Sequence, residues 1–236
     1  PIPGKPPIYI GLYVDDFIYF SESDEVEKSF ETEWGKRFKT TFDGDVSHFL
    51  GITFHTDTHK DGHISIHMNQ EPFTDSLCQM TKLDGPEAYT VPTPYRSGYP
   101  VDKIPYVPTD KHTQSRITFK MQKLVGCLQW LCTSTRPDIA TITNLLAQHT
   151  HKASKGHLDA VKRVVRYLKG TKSMGIAFHS RVNSNLSSFV KFPIDPQTTT
   201  PFTDANWGPQ DQSKPKPNDP PLELFKSRSL SGFIVN

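Results

Sequence analysis

The chain opens with two short runs of β-forming apolar residues. Ile8-Tyr9-Ile10-Gly11-Leu12-Tyr13 is followed by Phe17-Ile18-Tyr19-Phe20, with Val14-Asp15-Asp16 between them. Two such runs around a short polar break predict a β-hairpin. Ser23 then offers an N-cap, and Asp24, Glu25 and Glu27 fall in the first turn, where acids suit the helix dipole. Val26, Phe30, Trp34 and Phe38 recur at every fourth position, the apolar stripe of an amphipathic helix of about four turns. Phe49 to Phe54 and His63 to Met68 predict a second hairpin, with Asp61-Gly62 as its turn. On its second arm His63, Ser65 and His67 alternate with Ile64, Ile66 and Met68, which predicts a solvent face for the histidines. A short helix is expected over 72–80.

Residues 86–110 carry Pro86, Pro92, Pro94, Pro100, Pro105 and Pro108 and read as an extended connector. Three helical stretches follow. Leu124, Leu128 and Leu131 mark one stripe within 115–132, and Pro137 opens a second helix over 137–149. Leu158, Val161, Val165 and Leu168 mark the third over 155–169, with Gly170 as its stop. Short strands are expected at 174–178, 202–205 and 231–235. The proline-rich stretch 209–221 then reads as a loop between the last two. The fold class is α+β.

Composition narrows the class. At 236 residues with 11% aromatics the chain can build a core, which excludes global disorder. No run approaches the about 18 apolar residues of a membrane span. Three cysteines are too few for a secreted disulfide scaffold, and Cys127 and Cys132 sit in an apolar helical stretch as core residues. A start on Pro1 without a signal peptide reads as a piece of a longer, intracellular polypeptide that is not secreted.

Net charge is only +2, but it is unevenly placed. Residues 1–62 carry twelve acids against six bases, a net of −6. Residues 111–172 carry twelve bases against Asp138 and Asp159, a net of +10. This division suits a metal-binding end and a polyanion-binding end, and equally two solvated surfaces. Asp15 and Asp16 in a tight turn can approach one point, where their mutual repulsion favours a divalent cation. Asp-Asp is also an ordinary turn dipeptide. Lys162, Arg163, Arg166 and Lys169 are candidate phosphate contacts, or a cationic solvent face. Arg136-Pro137-Asp138 reads as structural, with Asp138 in a first helical turn.

The order of these strings resembles a known family. Tyr13-Val14-Asp15-Asp16, an amphipathic helix and a hairpin with Phe49-Leu50-Gly51 resemble a reverse-transcriptase palm, from its metal-binding hairpin to its primer grip. Leu124-Val125-Gly126-Cys127-Leu128-Gln129-Trp130-Leu131, Thr135-Arg136-Pro137-Asp138-Ile139 and the string from His157 to Thr171 narrow the likeness. Together they look like the Pol polyprotein of copia-type long-terminal-repeat retrotransposons. Phe202-Thr203-Asp204-Ala205-Asn206-Trp207 and Ser227 to Phe233 resemble the first two strands of that family's RNase H domain.

The resemblance implies four regions. Residues 1–85 would be the C-terminal part of the palm and 86–114 a connector. Residues 115–172 would be a basic helical thumb or connection region, and 173–236 a truncated RNase H start. It implies RNA-directed DNA polymerase activity in the parent, with Mg²⁺ or Mn²⁺ held by Asp15, supported by Asp16. Tyr13, Val14, Phe49, Leu50 and Gly51 would lie by the primer terminus, and Asp204 would bind RNase H metal. The implied partners are an RNA/DNA primer-template and the N-terminal palm and fingers, and the implied setting is a cytoplasmic particle and the nucleus, with no membrane. Only fourteen residues precede Asp15, too few for the family's other palm aspartate, and the chain stops before the family's remaining RNase H acids, so both active sites are expected to be incomplete in this chain. A non-catalytic nucleic-acid-binding remnant and a helix-based interaction module are the readings from other classes.

Overall fold

Strands β1 (Ile8–Tyr13) and β2 (Asp16–Ser21) pair as an antiparallel hairpin. The computed structural model describes residues 4–60, 62–96, 101–107, 109–180, 201–206 and 230–235. Helix α1 (Asp24–Gly35) packs on one face of the hairpin. There Phe17 meets Trp34 at 5.1 Å between ring centroids, and Tyr19 meets Phe30 at 5.0 Å. Offset and edge-on aromatic pairs of this kind bind more strongly than their area alone predicts. The helix ends at Gly35, one turn before Phe38, which stacks on Trp34 from outside the helix at 4.7 Å. The apolar stripe extends past the helix because Gly35 is a poor helix former and no base sits in the last turn.

A four-stranded sheet follows, in the order β3 (His48–Phe49), β4 (Ile52–Thr58), β5 (Ile64–Asn69) and β6 (Ile176–His179). Two sequence expectations fail here. Phe49 to Phe54 is not one arm: Phe49 pairs with Ile52 across a turn made by Leu50 and Gly51, both at positive φ. Gly51 tolerates that conformation, and positive φ at both central residues is the pattern of a type I′ turn. The faces of β5 are also inverted, since Ser65 is 8% exposed and Ile64 is 43% exposed. Pairing fixes the register Thr58↔Ile64 and His55↔His67, so Ser65 is covered despite the alternation. The ring of His59 contributes, its Nε2 lying 2.9 Å from Ser65 Oγ.

The main core is helical. It packs α2 (Glu71–Thr81), α3 (Lys111–Ser134), α4 (Ala140–Ala147) and α5 (Lys155–Gly170) around Leu77, Met121, Leu128, Leu131, Leu146, Val161 and Leu168. The expected stripes of α3 and α5 face this core. Asp110 caps α3 by accepting from the Thr113 backbone at 2.9 Å, so the helix begins at Lys111, four residues ahead of the expected start. The proline-rich connector is not merely extended: Val101 is buried in the core, with Ala88, Val91 and Ile104 packed against it. Cys78 is buried, Cys127 and Cys132 are half-buried, all three are free, and burial pushes their thiols up.

β6 reaches the sheet through Gly175. A Cβ there would lie 1.8 Å from the Met68 carbonyl oxygen, so only glycine fits this approach. The chain divides into two compact units, one ending at Phe178 and the next beginning at His179. In the second, β7 (Pro201–Asn206) pairs antiparallel with β8 (Leu230–Val235), Asp204 opposite Gly232. The expected loop 209–221 lies outside the described residues, as does Asp61 of the expected second turn. No helix among the described residues is long and apolar enough to cross a membrane.

Candidate functional site

The hairpin tip is tighter than its sequence suggested. Tyr13 pairs with Asp16, leaving Val14 and Asp15 as a two-residue turn. Val14 sits at φ 53° and is 83% exposed. Positive φ at the first central residue alone is the pattern of a type II′ turn, where glycine is usual. A β-branched residue there is strained. Asp15 is at the tip and Asp16 opens β2, on the strand face opposite Phe17 and so opposite α1. Both carboxylates are exposed, and neither has a hydrogen bond or ion pair among the described residues.

Behind the tip, the hairpin is held to α1 by polar as well as aromatic contacts. The Ser21 backbone N–H donates to Glu27 Oε1 at 2.7 Å, and the Tyr19 hydroxyl donates to Glu31. Burial, then the Glu31 contact, raises the Tyr19 phenol well above its usual range. Among the described residues no three His, Cys, Asp or Glu side chains are placed to hold a metal ion. The His55–His67 and His59–His63 ring pairs are therefore stacked couples, at 6.3 and 3.7 Å. Phe49, Leu50 and Gly51 form the other tight turn, with Leu50 at φ 50°.

The basic helix is engaged within the chain. Lys169 Nζ donates to the carbonyls of Gly85 and Ala88 at 2.6 and 3.0 Å. Arg166 lies over the Tyr89 ring at 4.6 Å, and Arg163 donates to Thr93 Oγ1 at 3.1 Å. Lys162 faces Asp159 at 3.5 Å. The partners of Lys169, Arg166 and Arg163 were not legible in sequence, because they lie up to 84 residues away in or beside the proline-rich connector. Tyr89 was one available signal, one of four tyrosines in the connector 86–110.

Arg136 is 2% exposed. It makes a two-pronged pair with Asp138 at 2.9 and 2.7 Å and donates to the Thr171 carbonyl and hydroxyl, each at 2.8 Å. The Tyr167 hydroxyl donates to the same Asp138 at 2.7 Å. Burial alone would raise the Asp138 carboxyl, but the Arg136 and Tyr167 hydrogen bonds outweigh it and hold the group below the usual carboxylate range. The cluster ties the α3–α4 turn to the end of α5, the structural role expected of Arg136-Pro137-Asp138.

Known proteins match this chain over most of its length. An uncharacterised mitochondrial protein of Arabidopsis thaliana is 28% identical over 183 residues, covering 77% of this chain and 70% of that one. The retrovirus-related Pol polyprotein from transposon RE2 of the same plant is 30% identical over 173 residues, covering 73% of this chain and 11% of the polyprotein. That from transposon TNT 1-94 of Nicotiana tabacum is 23% identical over 173 residues, covering 72% and 12%. No family model and no solved structure matches.

The chain is thus an α+β relative of retrotransposon Pol polyproteins. More particularly, Pol polyproteins of copia-type elements are among its relatives, and it spans about a tenth of the RE1 and RE2 polyproteins.

Proposed function

We propose that the chain is the C-terminal palm part of a copia-type reverse transcriptase, followed by a helical thumb or connection region and the opening strands of an RNase H-like sheet. The observation that carries this reading is the strained Val14-Asp15 turn. It holds two adjacent, unpartnered carboxylates in water at the tip of a hairpin backed by α1. Backbone strain kept at an exposed tip is a mark of a functional site.

On this reading Asp15 is the metal ligand and Asp16 supports it, with Tyr13, Val14 and the Phe49-Leu50-Gly51 turn beside the primer terminus. Hard carboxylate oxygens fit Mg²⁺ or Mn²⁺. Such ions, when bound, stabilise the attacking 3′-oxygen and the departing pyrophosphate in nucleotidyl transfer. The hairpin tip offers two carboxylates, and no three-ligand group forms among the described residues; on this reading the site's further ligands come from other segments. The β7–β8 pairing supports Asp204 as the first acid of an RNase H sheet. The partner is an RNA/DNA primer-template, and the chain alone is inactive.

Primer extension tests the reading. With Mg²⁺ and all four dNTPs the purified chain should remain at background. Asp15→Asn in the full parental Pol frame should lower extension on the order of 10²–10³-fold, the usual cost of removing one transition-state electrostatic contact. Extension by the chain alone, abolished by Asp15→Asn, would show a complete site and overturn the inactivity of the chain alone, whereas undiminished extension by Asp15→Asn in the parental frame would overturn the palm reading.

A further inference from the structure

Residues 85–93 cross the cationic face of α5. Lys169, Arg166 and Arg163 are spaced by three residues, so they share one side of the helix over about 9 Å. Each grips a different part of the crossing segment: the Gly85 and Ala88 carbonyls, the Tyr89 ring and the Thr93 hydroxyl. At the helix end Gly170 lies against Thr90, where an added Cβ would come to 3.0 Å.

The grip is electrostatically incomplete. Its acceptors are neutral, and no carboxylate pairs with the three cations among the described residues. The Nε atoms of Arg163 and Arg166 are buried without any hydrogen-bond acceptor. Buried donors left unpaired destabilise the state that holds them. Anionic oxygens would satisfy both, replacing neutral contacts with charge-assisted ones.

Resting on the nucleic-acid reading above, we propose that residues 85–93 are a displaceable strap over a phosphate-binding face formed by Arg163, Arg166 and Lys169. A nucleic-acid backbone lifts the strap and takes over its three cations. The closed strap therefore lowers affinity, and loosening it raises affinity.

Binding of a twenty-base-pair DNA duplex to the full chain, read by fluorescence anisotropy across a salt series, tests this. Tyr89→Ala removes the ring under Arg166 and should tighten binding roughly three- to tenfold, the value of one cation–π contact. In the wild-type chain, duplex should speed chymotryptic cleavage after Tyr89. Arg163→Lys with Arg166→Lys keeps both charges but removes both Nε donors, so duplex should then stimulate cleavage less. Arg163→Ala, Arg166→Ala and Lys169→Ala together should flatten the salt dependence, which runs near −0.9 per phosphate neutralised. If the triple variant loses binding but Tyr89→Ala binds no tighter than wild type, the strap is wrong and the nucleic-acid reading stands. If wild type and triple variant bind alike, or neither binds, the reading of α5 falls and the strap falls with it.

Discussion

Arg136 is nearly sealed from water, and a guanidinium cannot shed its charge to escape. Asp138 makes that burial tolerable, through the two-pronged contact and the Tyr167 hydroxyl that orients it. Asp138→Asn should destabilise the chain at neutral pH by about 3 kcal/mol, the low end for breaking a buried pair because Asp138 keeps some contact with water. The pH dependence has a definite sign. The folded carboxyl titrates below its ordinary value, so its contribution is full above about pH 4 and is lost as pH falls through that lower value. Urea denaturation at pH 7 and pH 3 should therefore show the deficit of Asp138→Asn shrinking in acid. An equal deficit at both would mean that the ion pair is not what the asparagine removes.

Helix α5 starts on an unusual cap. The Ser154 backbone N–H donates to Nδ1 of His157 at 3.1 Å, with Ser154 Oγ 3.0 Å from the same nitrogen. An accepting Nδ1 requires a neutral ring with its proton on Nε2. Burial, then the charge of His149 stacked at 4.7 Å, lowers the His157 titration, against a small opposing pull from the Val101 carbonyl. Stability from this cap is full above about pH 6.5 and is lost as pH falls through the lower folded value. His157→Gln keeps an acceptor at the same helical position, the usual capping-box partner, and does not titrate. Thermal melts between pH 7.5 and 5 should lose less stability in that variant, and parallel curves would reject the assignment. Elements of this kind were partly legible. The apolar periodicity of α3 and α5 located both helices, because Leu128, Leu131, Val161 and Leu168 face one core. The Leu50-Gly51 turn was hidden inside an unbroken apolar run, and only backbone φ reveals it. The side-chain faces of β5 were misread because alternation names two faces without saying which is covered. At the hairpin tip the carboxylates were legible as a motif, whereas the strain at Val14 was not.

At the scale of the molecule, the helical core draws on residues from Leu77 to Leu168, all within the first compact unit. A chain ending at Ser180 should thus unfold cooperatively with a midpoint within about 3 °C of the full chain, the shift that roughly 1 kcal/mol causes in a domain of 150–250 residues. Loss of the cooperative transition on truncation would show that the core leans on the second unit. The acidic residues of the first quarter also matter beyond chemistry. The β1–β2 sheet has two strands among the described residues, and Leu12, Tyr9 and Phe20 lie exposed on it, Leu12 at 66%. Open strand flanks with apolar side chains template the addition of further strands. The net −6 of residues 1–62 opposes the pairing of one such hairpin with another, as gatekeeper charges do beside unavoidable apolar strands. Salt shortens the reach of that repulsion to about 10 Å at 0.1 M. In colloidal terms, strand addition between two hairpins is favoured by a concentrated, salted solution and opposed by a dilute, low-salt one, the reverse of an association held by surface ion pairs.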